Sequence, residues 1–342
     1  MSLAAVVAAA LFVGVIAYAV LGGADFGSGF YDLIAGGGRR GAEVRTLIDE
    51  SIGPVWEANH VWLIYVLVMW WTGFPKAFAA ATTTLFTPLT LALAGIVLRG
   101  SSFAFRKYAS TFTQARLFGA IFAGSSLITP FFLGTVAGAI ASGRVPASGY
   151  GDPVGSWVNP TSLVGGCLAV TTCVFLAGVF LTADAHRSGS TNLAERLRIR
   201  TLMVGVVAGT IVFAGLYPVR HDAPTLSAGL LGQALPLLVV AGLAGAATLV
   251  VLFRGRGLAL DAARILAALA VAAVIAGWGV GQYPWMLVDR LRITEAAGAT
   301  TTLEALLVVV ALAGVIVLPP LGYLLWFTQS EKRPAESGRS PA

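Results

Sequence analysis

The chain has 342 residues, 57% of them apolar and only 11% charged, whereas ordinary soluble domains carry about a quarter charged residues; a soluble globular fold is excluded. Its formal net charge of +6 does not point to nucleic acid, because the arginines lie in short segments between apolar runs and no soluble basic domain exists to hold them. Cys167 and Cys173, six apart in one apolar run, argue against a disulfide framework and against a metal site.

Apolar runs of about 20 residues recur along the chain, and lipid offers the backbone no hydrogen-bond partner, so each run must close its own bonds as a helix. The expected fold is all-α: a polytopic membrane helical bundle of nine transmembrane helices, near 3–22, 54–71, 77–98, 117–140, 162–183, 201–217, 230–253, 265–287 and 303–327. Residues 1–328 form a single transmembrane domain, and the polar stretch 329–342 is expected as a disordered cytoplasmic tail.

The first run lacks the Lys/Arg-rich start of a signal peptide and reads as a retained helix, with cleavage after the small residues Ala17 to Ala19 as the alternative. It ends in Gly22-Gly23-Ala24-Asp25-Phe26-Gly27-Ser28-Gly29. The second opens on Gly53-Pro54-Val55-Trp56-Glu57-Ala58-Asn59-His60-Val61-Trp62 and leaves by a tight exit at Gly73-Phe74-Pro75. The segment 141–160, rich in Gly, Pro and Ser and carrying Trp157, is the longest external connection and looks like a bend between two halves. Ala24-Asp25 and Ala183-Asp184 close helices one and five alike, which allows two four-helix pseudo-repeats plus one helix. Gly205 and Gly209 give helix six a close-packing face. Gln282-Tyr283-Pro284-Trp285 closes helix eight as an interface anchor.

Lys and Arg alternate between the connections: 17 fall in the first, third, fifth and seventh loops and the C-terminal tail, and five (Lys76, Arg144, Arg220, Arg290, Arg292) fall on the other side. Cytoplasmic loops hold the excess, so the N-terminus is expected outside and the C-terminus in the cytoplasm, the orientation of a multi-pass protein of the bacterial inner membrane.

An acid near the hydrocarbon costs about 2.5 to 3.5 kcal/mol at a helix centre and needs a reason to be there. Asp25 and Glu57 both fall toward the cytoplasmic mouth. A desolvated carboxyl favours its neutral form and can accept and release a proton, as a relay requires. The plainer reading is that each pairs with an arginine such as Arg99 or caps a helix. Trp56, Asn59, His60 and Trp62 support the motif around Glu57. Of three histidines, His186 and His221 fall in loops and His60 alone lies in an apolar run, so the chain cannot build a two-ligand haem site unaided; a hydrogen-bonded neutral His60 is the ordinary reading, and a single haem ligand the other.

These residues carry a resemblance that covers nearly the whole chain. Gly23 to Gly27, Trp56-Glu57-Ala58-Asn59 with Val61-Trp62-Leu63, Phe74-Pro75-Lys76, Leu98-Arg99-Gly100 with Phe105-Arg106, Gln282-Tyr283-Pro284 and Leu318-Pro319-Pro320-Leu321-Gly322-Tyr323 together resemble subunit II of cytochrome bd-type quinol oxidases. Glu57 and Ala58 stand where that family more commonly has Asp and Gly, and His60 where it more often has Gln or Glu, so the chain resembles a divergent branch. The resemblance implies a haem-free second subunit that scaffolds a haem-bearing subunit I, with haem b and haem d on that partner and membrane quinol as the substrate of the complex. It further implies that Glu57 leads protons from the cytoplasm, and it allows a small single-helix third subunit; lipid and quinone are the other partners, and nucleic acid is not one. The rival readings are an ion-coupled secondary transporter, with Asp25 and Glu57 at broken helices, and a purely structural membrane subunit.

Overall fold

The computed structural model describes residues 2–36, 38–52, 56–109, 111–255 and 259–330, with the side chains of 38–40, 52, 56–58, 107, 112 and 325–330 outside the description. The tail expected to be disordered therefore lies outside the described residues from 331 onward, and so do the side chains of Trp56 and Glu57.

The elements follow in chain order. Helix α1 is Leu3–Ala17, and a π-helical turn at Tyr18–Gly22 joins it to α2, Gly23–Leu33. Then come α3 Gly38–Ile52, α4 Trp56–Gly73, α5 Pro75–Thr84, α6 Phe86–Lys107, α7 Phe112–Ala141 and α8 Pro160–Arg187. Helices α9 Thr191–Asp222, α10 Pro224–Leu231, α11 Leu235–Arg254 and α12 Ala259–Gly281 lead to an antiparallel pair of short strands, β1 Trp285–Leu287 and β2 Leu291–Arg292. Short α13 Ile293–Ala296 and long α14 Thr300–Ser330 complete the chain.

Among the described residues eight helices are long and apolar enough to cross a membrane, and the count rises to nine when the bent pair Asn59–Gly73 and Pro75–Thr84 is taken as one span. The all-helical membrane bundle is as expected and the upper count meets the expected nine spans, but several boundaries move. The first span runs on to Leu33, past the glycines that read as its end, because those glycines are close-approach points and not a stop. The second and third spans divide differently: α4 and α5 meet at 116°, where Pro75 stands at the first helical position of α5, and Leu85 breaks the run expected over 77–98. Helix α9 begins ten residues earlier than expected, so Arg196, Arg198 and Arg200 ride on its first turns instead of in a loop. Helix eight ends at Gly281 and not at Leu287, whose segment pairs as a strand.

Helix α3 was not expected. It carries too many charges to read as a span, yet Val44, Leu47 and Ile48 are buried against Tyr31, Leu181, Leu193 and Leu197 while Glu43 and Glu50 face out. That three-and-four spacing is the stripe of an amphipathic surface helix. It covers the end of the bundle where Arg45, Arg106, Arg198 and Arg254 also gather, here termed the basic end.

Helix α2 packs against both α7 and α8. A Cβ on Gly27 would overlap the Cys173 carbonyl of α8, and one on Gly29 would overlap Ser126 of α7. Without a hydrophobic drive inside lipid, small residues let helices approach until backbone contacts hold them. Interior hydroxyls cost little, because Ser126, Thr129, Thr182, Thr201 and Thr248 each donate to the carbonyl four residues earlier in their own helix. Helix α14 differs: it touches α1 and α4 and leaves Val308, Val309, Leu312, Val315 and Ile316 exposed.

Gly27→Val is expected to cost at least about 1–3 kcal/mol, the scale of overpacking, seen as a lowered unfolding temperature in detergent. Gly209→Ala, where an added Cβ meets nothing within 4 Å, is the neutral control.

Candidate functional site

Asp25 lies on α2 just past the π-helical turn, 2% exposed. Its Oδ1 accepts from Arg99 Nη2 of α6 at 2.5 Å, and the same nitrogen donates to the Asp25 carbonyl at 3.2 Å. Arg99, also 2% exposed, donates its Nε to Ser126 Oγ of α7 at 3.0 Å, and that hydroxyl donates in turn to the Phe122 carbonyl at 2.6 Å. The guanidinium lies between two aromatic faces, 4.9 Å from the Phe26 centroid and 5.0 Å from that of Phe122. A charge held inside lipid needs a counter-ion and donors or faces for its remaining surface, and α2, α6 and α7 supply them together. The pairing of Asp25 with Arg99 realises the plainer of the two sequence readings, and it leaves Asp25 Oδ2 buried with no hydrogen-bond partner among the described residues.

Seven residues further along each helix the pattern repeats. Asp32 accepts from Arg106 Nη1 at 2.5 Å and from Arg45 Nε of α3 at 2.8 Å, while Arg106 Nη2 donates to Asp49 at 2.6 Å. Two turns of helix separate the rungs on both sides, so α2 presents acids to α6 as a ladder that reaches from the interior to the basic end. Asp32, Asp49 and Ser126 escaped sequence reading. A signal existed in the matched i, i+7 spacing of Asp25 with Asp32 and of Arg99 with Arg106, but it becomes visible only once the two helices are known to face each other.

The α4 motif meets this ladder through an aromatic. The Phe26 ring, which covers Arg99 on one side, stands 6.1 Å from the His60 ring. Asn59 is buried, and Trp62 packs edge-on against Tyr65, 6.1 Å between centroids. Tyr65 donates to the Ala10 carbonyl of α1 at 2.9 Å. Asp25, Arg99 and His60 are therefore brought into one cluster. Trp62 lies beside Tyr65 on the same α4, and Glu57 with Trp56 belongs to the first turn of that helix with side chains outside the described residues.

Other charges are held elsewhere. Asp184 of α8 pairs with Arg187 and with Arg264 of α12, whose guanidinium lies 4.7 Å from the Phe180 ring; its partners thus differ from those of Asp25. At the opposite end Arg144 grips Asp222 with two nitrogens at 2.9 and 2.5 Å, and Asp222 also accepts from the Thr161 hydroxyl at 2.6 Å. The hydrogen bond to Asp222 holds the Arg144 guanidinium above its ordinary pKa. This clasp ties the 142–159 loop to the ends of α8 and α9.

Among the described residues no group of three His, Cys, Asp or Glu could hold a metal ion. His186 sits in the last turn of α8 and His221 in the last turn of α9, stacked 4.6 Å from Tyr217. Consecutive spans run in opposite directions, so these two lie at opposite ends of the bundle. Paired axial ligands for a haem are not brought together by these side chains.

The family model described as cytochrome bd terminal oxidase subunit II matches residues 3–328. The cytochrome bd ubiquinol oxidase subunit 2 of Bacillus subtilis (strain 168) is 27% identical over 219 residues, 64% of this chain and 62% of that relative. The cytochrome bd-I ubiquinol oxidase subunit 2 of Escherichia coli (strain K12) is 29% identical over 221 residues, 60% of this chain and 56% of that relative. Each alignment spans less than two thirds of the relative's length. A chain in the structure of bd oxidase from Geobacillus thermodenitrificans shares the fold with a TM-score of 0.80 at 24% identity, covering 97% of this chain and 100% of that one.

Arg99→Leu strands the Asp25 carboxylate inside the bundle and is expected to cost about 3–5 kcal/mol. The double variant Asp25→Asn with Arg99→Leu should recover most of that loss. Thermal unfolding of both in detergent checks the pair.

Proposed function

Because the chain belongs to the cytochrome bd terminal oxidase subunit II family, we propose that it is the haem-free second subunit of a quinol:oxygen oxidoreductase of the bacterial respiratory chain. In this reading it scaffolds a haem-bearing subunit I in the inner membrane and supplies part of the proton-uptake path from the cytoplasm. Haem b and haem d belong to subunit I, where they supply the electron transfer and oxygen chemistry, and membrane quinol is the reductant of the complex. A small single-helix third subunit is compatible with the long exposed surfaces of this chain.

The observation that carries the proton role is the acid ladder between α2 and α6. Protons need groups that bind and release them within hydrogen-bond reach, and lipid supplies none. The basic end, which the excess of Lys and Arg assigns to the cytoplasm, holds Asp32 and Asp49 near its surface and Asp25 deeper in. Arg99 fixes one carboxylate oxygen of Asp25 and leaves the other without a hydrogen-bond partner among the described residues. Glu57, at the start of α4, enters this reading from the sequence motif, as the acid that takes protons onward to the partner. His60 beside Phe26 links α4 to α2 and Tyr65 bonded to the Ala10 carbonyl links it to α1, Asn59 and Trp62 belong to the same helix, and Arg99 sets the charge balance.

The ion-coupled transporter remains the second reading, and the 116° bend between α4 and α5 is the feature that favours it. Transporters of that kind place broken helices in matching positions of two halves. In the second half α8 and α9 each run on as continuous helices of 28 and 32 residues, so the oxidase subunit is the better account.

Purification of the tagged chain from its native membrane in mild detergent should bring down a larger subunit with haem b and d bands in the reduced-minus-oxidised spectrum and quinol-driven oxygen uptake. A colourless, inactive, solitary chain would move the weight to the transporter. In the complex, Glu57→Gln should slow oxygen uptake by about tenfold or more with haem content retained, since it keeps shape and removes the titrating group; normal turnover would remove Glu57 from the proton path.

A further inference from the structure

Lys76, in the tight exit of the second span, stands apart from neighbouring cations at the end of the bundle away from the ladder. There Arg144 is bonded to Asp222, Arg290 to the Gly143 carbonyl, and Arg292 lies 5.3 Å from the Trp285 ring centroid. Lys76 is exposed and makes no ion pair or hydrogen bond among the described residues. It opens onto a recess of about 290 Å³ whose walls include Ala79, Ala80 and Thr83 of α5 and Ser148 and Tyr150 of the long loop.

The way the loop meets α5 builds this recess. Lys76, Ala79, Ala80 and Thr83 are spaced i, i+3, i+4 and i+7, which puts them on one face of the helix, and the two alanines keep that face shallow. Gly149, with a φ of +79°, lays the loop backbone against it: a Cβ there would stand 3.3 Å from Ala80 Cα and 3.5 Å from Thr83 Cβ. The Thr84 hydroxyl pins the same glycine by donating to its carbonyl at 3.0 Å. Ser148 and Tyr150 flank Gly149 and are thereby held at the recess. The hydroxyls of Thr83, Ser148 and Tyr150 have no hydrogen-bond partner among the described residues, whereas those of Thr82 and Thr84, on either side of Thr83, are bonded within the protein. No carboxylate is among the lining residues.

One uncompensated ammonium and three free hydroxyls around a small recess suit an oxyanion, and lysine is a compact point charge for phosphate. The depth of the recess identifies the source. Trp71, 65% exposed, stacks on Phe78 of α5 with centroids 6.0 Å apart, and exposed tryptophan prefers the membrane–water interface, so α5 lies at the level of lipid headgroups. The volume is at the lower limit for holding a whole small molecule and suits a headgroup without its acyl chains. We propose that this recess binds the phosphodiester of a membrane phospholipid in the leaflet away from the basic end, with Lys76 as counter-ion and Thr83, Ser148 and Tyr150 as hydrogen-bond donors. The headgroup then bridges α5 and the long loop from outside. The inference stands whether or not the chain is an oxidase subunit.

The test uses the protein purified from its native membrane with whatever subunits accompany it, stripped of lipid in mild detergent and given short-chain phosphatidylglycerol. In native mass spectrometry the wild type should bind one lipid that Lys76→Ala binds at least about tenfold more weakly, the scale of one charge-assisted hydrogen bond, while Lys76→Arg keeps most of the affinity. An unchanged unfolding temperature without lipid checks that Lys76→Ala is folded. Equal binding by wild type and Lys76→Ala would overturn the proposal. Location is read separately: with Cys167→Ser in place and Cys173 buried, Ser148→Cys should react with a water-soluble maleimide more slowly once the lipid is added, and an unchanged rate would equally overturn it. Inorganic phosphate that slows this reaction as well as the lipid does at equal concentration would make a free anion the occupant and overturn the lipid assignment.

Discussion

The ion pair between Asp25 and Arg99 sets the terms on which this bundle is built. Neither charge could stay in a lipid-facing position, and neither is stable inside unless the other is held within contact distance. Arg99 therefore needs Asp25 from α2, the Ser126 hydroxyl from α7, and the faces of Phe26 and Phe122. Those requirements fix the mutual position of three helices more tightly than apolar packing could, because one hydrocarbon contact in a membrane is much like another.

The small residues of α2 follow from that constraint. Ser126 can reach Arg99 only if α7 comes close, and Gly29 removes the Cβ that would stand in its way. Gly27 does the same for α8 at the Cys173 carbonyl. A helix so rich in glycine would be a poor helix in water. Inside lipid it is kept by the absence of any other partner for its backbone, and the packing of α7 and α8 on both sides makes up for what its composition lacks. The second rung, Asp32 with Arg106 and Arg45, then carries the charge pattern out to α3 at the surface.

The rest of the chain is arranged around this centre with less stringency. At the end away from the ladder, Arg144 and Asp222 clasp the long loop onto the ends of α8 and α9. The short strand pair after α12 is held to the same region, where Arg290 donates to the Gly143 carbonyl. Helix α14 touches α1 and α4, and its apolar surface is outward-facing.

The all-helical membrane class and the family were legible in the sequence, since hydropathy answers directly to the lipid. So was Asp25 as a residue needing an explanation, with Arg99 as a candidate partner, because an acid among apolar residues stands out wherever it is. What the sequence left open was which groups those charges meet. The reach of the first span through its glycines, the amphipathic α3, the break at Leu85 and the gathering of Asp25, Arg99, Ser126, Phe26 and His60 all depend on contacts between segments far apart in the chain. Glycine reads alike as a helix end or as a crossing point until a neighbour arrives, and Asp32 gains a meaning only once Arg106 and Arg45 are seen to meet it. Lipid decides which segments become helices; the pairing of charges and the close approach of backbones, both properties of the folded bundle, decide how those helices stand together.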